Sequence, residues 1–219
     1  MKHFNHVNID LPSIKQVNLE SKRLYETATG NKYPSVTTVL SAHNKDAIVA
    51  WRKRVGNEEA NRISAAATRR GTKIHSIIES YLKNEDRPIE NNLDLNRFIS
   101  LEPYLENIDN IHVQERALYS DHLRLAGTVD CIAEYDGRLS VIDFKTASKA
   151  KKKEWIHSYF MQCAAYAIMY EERTKRPITN LVIMISVEDD APQIFFEKRD
   201  NWVKDLLYYR DLYEQNNSD

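Results

Sequence analysis

The strongest constraint in this sequence is the dipeptide Asp136-Gly137, set between two β-branched, apolar runs, Ala126 to Tyr135 and Leu139 to Phe144. Asp-Gly suits a two-residue hairpin turn, because both central positions of that turn need positive φ. If these are the loop residues, Tyr135 faces Arg138 and the register is set for the whole pair. Asp130 then falls opposite Asp143, with Cβ atoms ~4.5–5.5 Å apart on one face. Side chains alternate along a strand, so Lys145 shares that face with Asp143 and pairs with Thr128, while Ile142 and Phe144 point the other way. Two opposed carboxylates destabilise a sheet unless something neutralises them. Flanking Val129, Ile132, Val141 and Ile142 make these strands read as buried, where unpaired charge is costly. A divalent cation with oxygen ligands, Mg²⁺ or Mn²⁺, resolves the conflict.

The rest of the chain supplies a frame for this hairpin. Ser35 to Leu40 reads as a short helix capped by Ser35. Lys45 to Lys83 has helical periodicity, with Ile74, Ile77, Ile78, Tyr81 and Leu82 on one face and a break expected at Gly71. Leu95 to Leu105 reads as a further helix carrying Pro103. Ile111 to Tyr119 is strand-like, Ser158 to Arg173 is an amphipathic helix, and Asn180 to Val187 is an apolar run suited to a buried strand. Gln193 to Glu197 and Trp202 to Tyr213 add a strand and a closing helix. The expected fold is therefore α/β, a central mixed sheet flanked by helices, with an N-terminal helical extension. It forms a single domain over 1–219, mainly helical over 1–105 and catalytic over 111–219.

Four motifs in this order resemble the RecB-like exonuclease branch of the PD-(D/E)XK nuclease superfamily. They are Gly127-Thr-Val-Asp130, Ile142-Asp-Phe-Lys-Thr146, the Gln162…Tyr166 spacing on the following helix, and Arg70-Gly-Thr-Lys-Ile-His75 upstream. With Tyr33-Pro-Ser-Val-Thr37, the pattern is similar to the group of mitochondrial genome maintenance exonucleases and their bacterial and phage relatives. The resemblance implies the restriction-endonuclease-like core and metal-dependent hydrolysis of single-stranded DNA or flaps from free ends, in replication, recombination or repair. It also implies that His75, Asp130, Asp143 and the backbone carbonyl of Phe144 hold Mg²⁺ or Mn²⁺. Lys145 would then act on the attacking water or on the phosphate charge, and Gln162 and Tyr166 on the DNA backbone. Glu79, one turn beyond His75, and Glu115, in the strand before the hairpin, are candidates for outer support of the metal.

Charge distribution agrees with a nucleic-acid partner. Net charge is −1, yet residues 45–75 carry eight Lys/Arg against three Asp/Glu, and residues 186–219 carry nine acidic and four basic side chains. Arg70, Lys73, Thr146, Lys149, Lys151 and Lys152 are the expected DNA contacts, and Trp51, Trp155 and Tyr159 are candidates for stacking on unpaired bases. No run approaches the ~18 apolar residues that span a bilayer, and no signal or transit peptide is evident. The two cysteines, Cys131 and Cys163, lie in apolar stretches and read as buried thiols. A cytoplasmic protein of a bacterial cell or phage-infected host is expected. An endonuclease on the same core, a non-catalytic DNA-end-binding protein and an RNA substrate are the competing expectations.

Overall fold

In the computed structural model, Asp136 and Gly137 both have positive φ, 49° and 72°, and close the hairpin as expected. The structure describes residues 2–19, 22–42 and 45–217. Strands β1 (Ile14–Leu19), β2 (Lys22–Thr27) and β3 (Lys32–Pro34) form a small antiparallel sheet. Helices α1 (Val36–Ala42), α2 (Lys45–Val55), α3 (Asn57–Leu82) and α4 (Asn92–Leu105) follow. The second half holds β4 (Ile108–Ser120), β5 (Leu125–Tyr135), β6 (Arg138–Ala147), α5 (His157–Thr174), β7 (Asn180–Val187), β8 (Gln193–Lys198) and α6 (Asp200–Gln215). The large sheet has the order β4-β5-β6-β7-β8. It is antiparallel except at β6–β7, the parallel pair whose connection carries α5.

Helices cover both faces of this sheet, and alternate residues of β6 and β7 enter different cores, while β5 changes phase between Val129 and Cys131. Val129, Val141, Ile183 and Ile185 pack with α1, α5 and α6. Cys131, Ile142, Phe144, Val182 and Met184 pack with Ile74, Ile77 and Ile78 of α3 and Phe98 and Leu101 of α4. Both cysteines are free and buried. Among the described residues, no helix is long and apolar enough to cross a membrane.

Three local expectations are revised. The long helical stretch breaks at Gly56, not Gly71. Gly56 takes φ 87°, which glycine reaches without steric cost. Gly71 lies inside α3, where burial of Ile74, Ile77, Ile78, Tyr81 and Leu82 outweighs the ~1 kcal/mol cost of a helical glycine. The helix carrying Pro103 starts three residues early, at Asn92, because the Asn91 side chain caps it by accepting the Asp94 N–H at 3.0 Å. The helix expected to be amphipathic, α5, is buried almost all round, from Phe160 through Ala167 and again at Met169 and Tyr170.

Candidate active site

Glu115, Asp130 and Asp143 occupy one row across β4, β5 and β6, and the backbone ladder is interrupted at that row on both sides. The β5–β6 register is the expected one, but its last pair is Cys131–Ile142. The expected direct pairings of Asp130 with Asp143, and of Thr128 with Lys145, are therefore absent from the ladder. Asp130 Oδ2 instead accepts the backbone N–H of Phe144 at 2.9 Å, so a side chain takes the place of a ladder carbonyl. On the other side Gln114 pairs with Cys131 and Arg116 with Val129, skipping Glu115, which adopts φ 44°. A left-handed conformation at a non-glycine residue costs about 1–3 kcal/mol and persists where surrounding structure holds it.

His75 reaches this row from α3. Its Nε2 donates to the Phe144 carbonyl at 2.7 Å, and its Nδ1 lies 3.3 Å from Glu115 Oε1 and 3.8 Å from Asp130 Oδ1. Both ring nitrogens face acceptors, which suits the doubly protonated ring. Burial lowers the His75 pKa, but the Glu115 hydrogen bond and the charges of Asp130, Asp143 and Glu115 outweigh it and push the pKa up to about 9. One ligand atom from each of His75, Glu115 and Asp130 lies within 4.8 Å of the others. Glu115 thus joins the inner cluster, where the sequence suggested only outer support. Glu79 does not touch the imidazole in this way; its carboxylate holds Lys83 at 2.6 Å.

Asp143 is 1% exposed, and the Lys145 ammonium lies against its Oδ2. Neither Asp143 oxygen has a further hydrogen bond among the described residues. Burial pushes its pKa up to about 6, against the pull of Lys145. Burial also lowers the Lys145 pKa, but Asp143 and Asp130 more than reverse this and hold the ammonium above its ordinary value. Lys145 is therefore held as a hydrogen-bond donor against Asp143. His75, Glu115 and Asp130 form one cluster, the Phe144 carbonyl bonds the imidazole, and Asp143 with Lys145 stands outside that cluster, acting on His75 and Asp130 through charge. Such an oxygen-rich set, with two buried carboxylate oxygens lacking donors beyond one ammonium, fits a hard divalent cation.

α5 closes the other side of the row. Gln162 and Tyr166 are buried and joined, Nε2 to hydroxyl, at 3.3 Å. Tyr166 lies so close to β5 that a Cβ at Gly127 would sit 2.9 Å from its hydroxyl oxygen. This explains the glycine three residues before Asp130. The Lys145 ammonium lies 5.2 Å from the Tyr159 ring centroid. The small N-terminal sheet adds Tyr25, buried, with its hydroxyl 3.3 Å from Thr128 Oγ1.

The expected DNA contacts divide into two groups. Lys149 and Lys152 are exposed and Lys151 is half-buried, on the connection that follows β6. Arg70 and Lys73 are engaged within the protein. Arg70 bonds Thr146 Oγ1 and Glu188, both at 3.3 Å, and Lys73 pairs with Glu90. Arg97 of α4 shares Glu188, also at 3.3 Å. This Arg70–Glu188–Arg97 bridge was not foreseen, since its members are far apart in sequence and carry no local motif.

Residues 97–199 match the family model of the PD-(D/E)XK nuclease superfamily. Among curated proteins the chain is similar to mitochondrial genome maintenance exonuclease 1 of Homo sapiens, 27% identical over 74% of this chain and 51% of the relative. The same protein of Mus musculus is 28% identical over 74% and 52%. The chain spans about half the length of the curated relatives it matches. A solved protein from Eubacterium rectale carrying an exonuclease name aligns with a TM-score of 0.48 and 12% identity, over 68% of this chain and 65% of that one.

Proposed function

We propose that this chain is a divalent-metal-dependent DNA exonuclease that hydrolyses phosphodiester bonds of single-stranded DNA or flaps from free ends. The observation that carries the reading is the interrupted row itself. Glu115, Asp130 and Asp143 gather beside a protonated lysine where the ladder between β5 and its two neighbours is interrupted. A structural role alone would not bring three acids together.

His75, Glu115, Asp130, Asp143 and the Phe144 carbonyl would hold Mg²⁺ or Mn²⁺, which supplies Lewis-acid neutralisation of phosphate charge. Lys145, kept protonated by Asp143 and Asp130, donates to a phosphate oxygen and stabilises the charge that grows there during attack. Tyr159 packs beside that ammonium and limits its freedom. Gln162 and Tyr166 position the backbone of the strand, and exposed Lys149 and Lys152 attract it. Arg70, Lys73, Thr146 and Lys151 line its approach. A free-end requirement is supported by the exonuclease names of the relatives, and a nucleic-acid partner by the basic side chains exposed on α2 and α3.

The test is digestion of end-labelled linear single-stranded DNA with Mn²⁺, beside a circular single strand, matched duplex and matched RNA, with Lys145→Ala as control. Loss of the linear strand alone, and an inert variant, is expected. Cutting of the circle would replace the exonuclease with an endonuclease. Binding without hydrolysis under several metals would make the chain a DNA-end-binding protein.

A further inference from the structure

Between β6 and α5 the chain makes a short 3-10 turn, Lys153–Trp155, and the indole at its end is 64% exposed. Among the described residues, Trp155 is the most exposed of the large hydrophobic side chains. Leaving so large an apolar ring in water forgoes the gain of burying it. The segment that carries it is tied down. Lys151 N–H donates to Gln193 Oε1 at 2.7 Å, and Gln193 Nε2 returns a bond to the Lys151 carbonyl at 2.9 Å. Lys153 pairs with Glu197, and the Trp155 N–H bonds the Lys152 carbonyl at 3.0 Å. The Lys152 ammonium stands over the indole, 5.4 Å from its ring centroid. A held aromatic face with a cation beside it, on the connection leaving the strand of Asp143 and Lys145, matches the chemistry of an unpaired nucleotide. The base stacks on the ring and the phosphate meets the ammonium.

We infer that Trp155 and Lys152 form a stacking platform for one unpaired base of the strand led to the Lys145 cleft. The inference rests on the proposed single-stranded DNA substrate, and names the side chains that would favour unpaired over paired DNA. A base inside a duplex has both faces occupied by its neighbours, so an exposed ring has nothing to offer it.

The experiment measures binding of the full chain in EDTA, where no hydrolysis confuses the reading. Two fluorescent strands of equal length are used, oligo-dT and a strand of abasic sites. Wild type should prefer oligo-dT. Trp155→Ala should weaken oligo-dT binding about tenfold, leave the abasic strand unchanged, and leave the thermal melt unchanged because the ring is exposed. Trp155→Phe should restore most of the loss. Lys152→Ala should weaken both strands and flatten the salt dependence. Equal binding of oligo-dT by wild type and Trp155→Ala overturns the platform, as does an equal loss on both strands or no strand binding by wild type. If the base-dependent loss is seen while wild type hydrolyses nothing with Mn²⁺, the nuclease reading fails and the platform stands. If hydrolysis is seen without that loss, the platform alone fails.

Discussion

Asp130 Oδ2 accepts the backbone N–H of Phe144 at 2.9 Å, so this carboxylate both faces His75 and Glu115 and splices the gap between β5 and β6. The two roles separate by substitution. Asp130→Asn keeps an oxygen acceptor for the Phe144 N–H, whereas Asp130→Ala orphans it. Thermal unfolding should show the Asn variant close to wild type and the Ala variant lower by about 1–3 kcal/mol. Both should lose hydrolysis by at least ~10²–10³-fold. An active Asn variant would contradict the assignment.

Glu115 is held at φ 44°, a conformation that costs an L side chain about 1–3 kcal/mol. Glu115→Gly and Glu115→Ala both remove the carboxylate, but only glycine relieves the backbone. Urea unfolding should find the Gly variant more stable than the Ala variant by about 1 kcal/mol, the reverse of their order in an ordinary strand. Both should show weakened Mn²⁺ dependence of hydrolysis. An Ala variant more stable than the Gly variant would mean that the strand straightens.

Gly127 meets Tyr166 at 2.9 Å from an added Cβ to the hydroxyl oxygen. Gly127→Ala should destabilise the domain by about 1–3 kcal/mol through overpacking. In a double-variant cycle with Tyr166→Phe the two losses should sum to less than expected, because removing the hydroxyl opens part of the space. Strict additivity would place the strain elsewhere.

The metal-free protein should have a pH-dependent stability that belongs to His75. Burial works against its charge, but Glu115, Asp130 and Asp143 raise its pKa from 6.5 to about 9. A group whose folded pKa is raised contributes stability that is full below the unfolded value and lost as pH rises through the folded one. The Tm difference between wild type and His75→Gln in EDTA should therefore be largest at pH 6 and shrink between about 6.5 and 9. A difference that grows over that range would mean the imidazole is neutral in the fold.

Much of this architecture was legible because it rests on local chemistry. Asp136-Gly137 encodes positive φ at two positions, and that alone set the register observed from Tyr135–Arg138 to Cys131–Ile142. The apolar run from Asn180 to Val187 suited a buried strand, and β7 is buried at every residue after Asn180. Ser35 accepts the Thr38 N–H at 3.0 Å as a capping serine should. What was not legible depends on the assembled fold. Gly71 reads as a helix breaker until the sheet beneath α3 repays its cost. Nothing around Glu115 signals a left-handed residue, because the neighbouring row imposes it. The pairing of Arg70 and Arg97 through Glu188 joins three elements, and turns one expected DNA contact into an internally braced side chain. The ladder's end at Cys131–Ile142 was missed because the register predicts which residues align, not whether their backbones still bond.

The central claim, that this row of acids is one metal centre serving hydrolysis, is tested most directly by Mn²⁺ binding followed by electron paramagnetic resonance. Wild type, Asp143→Asn and Lys145→Ala would be titrated side by side, with hydrolysis of end-labelled single-stranded DNA read from the same samples. The account predicts a bound ion in wild type, a strongly weakened one in Asp143→Asn, and a bound but hydrolytically silent one in Lys145→Ala. Unchanged Mn²⁺ binding in Asp143→Asn, or full hydrolysis by Lys145→Ala, would contradict it.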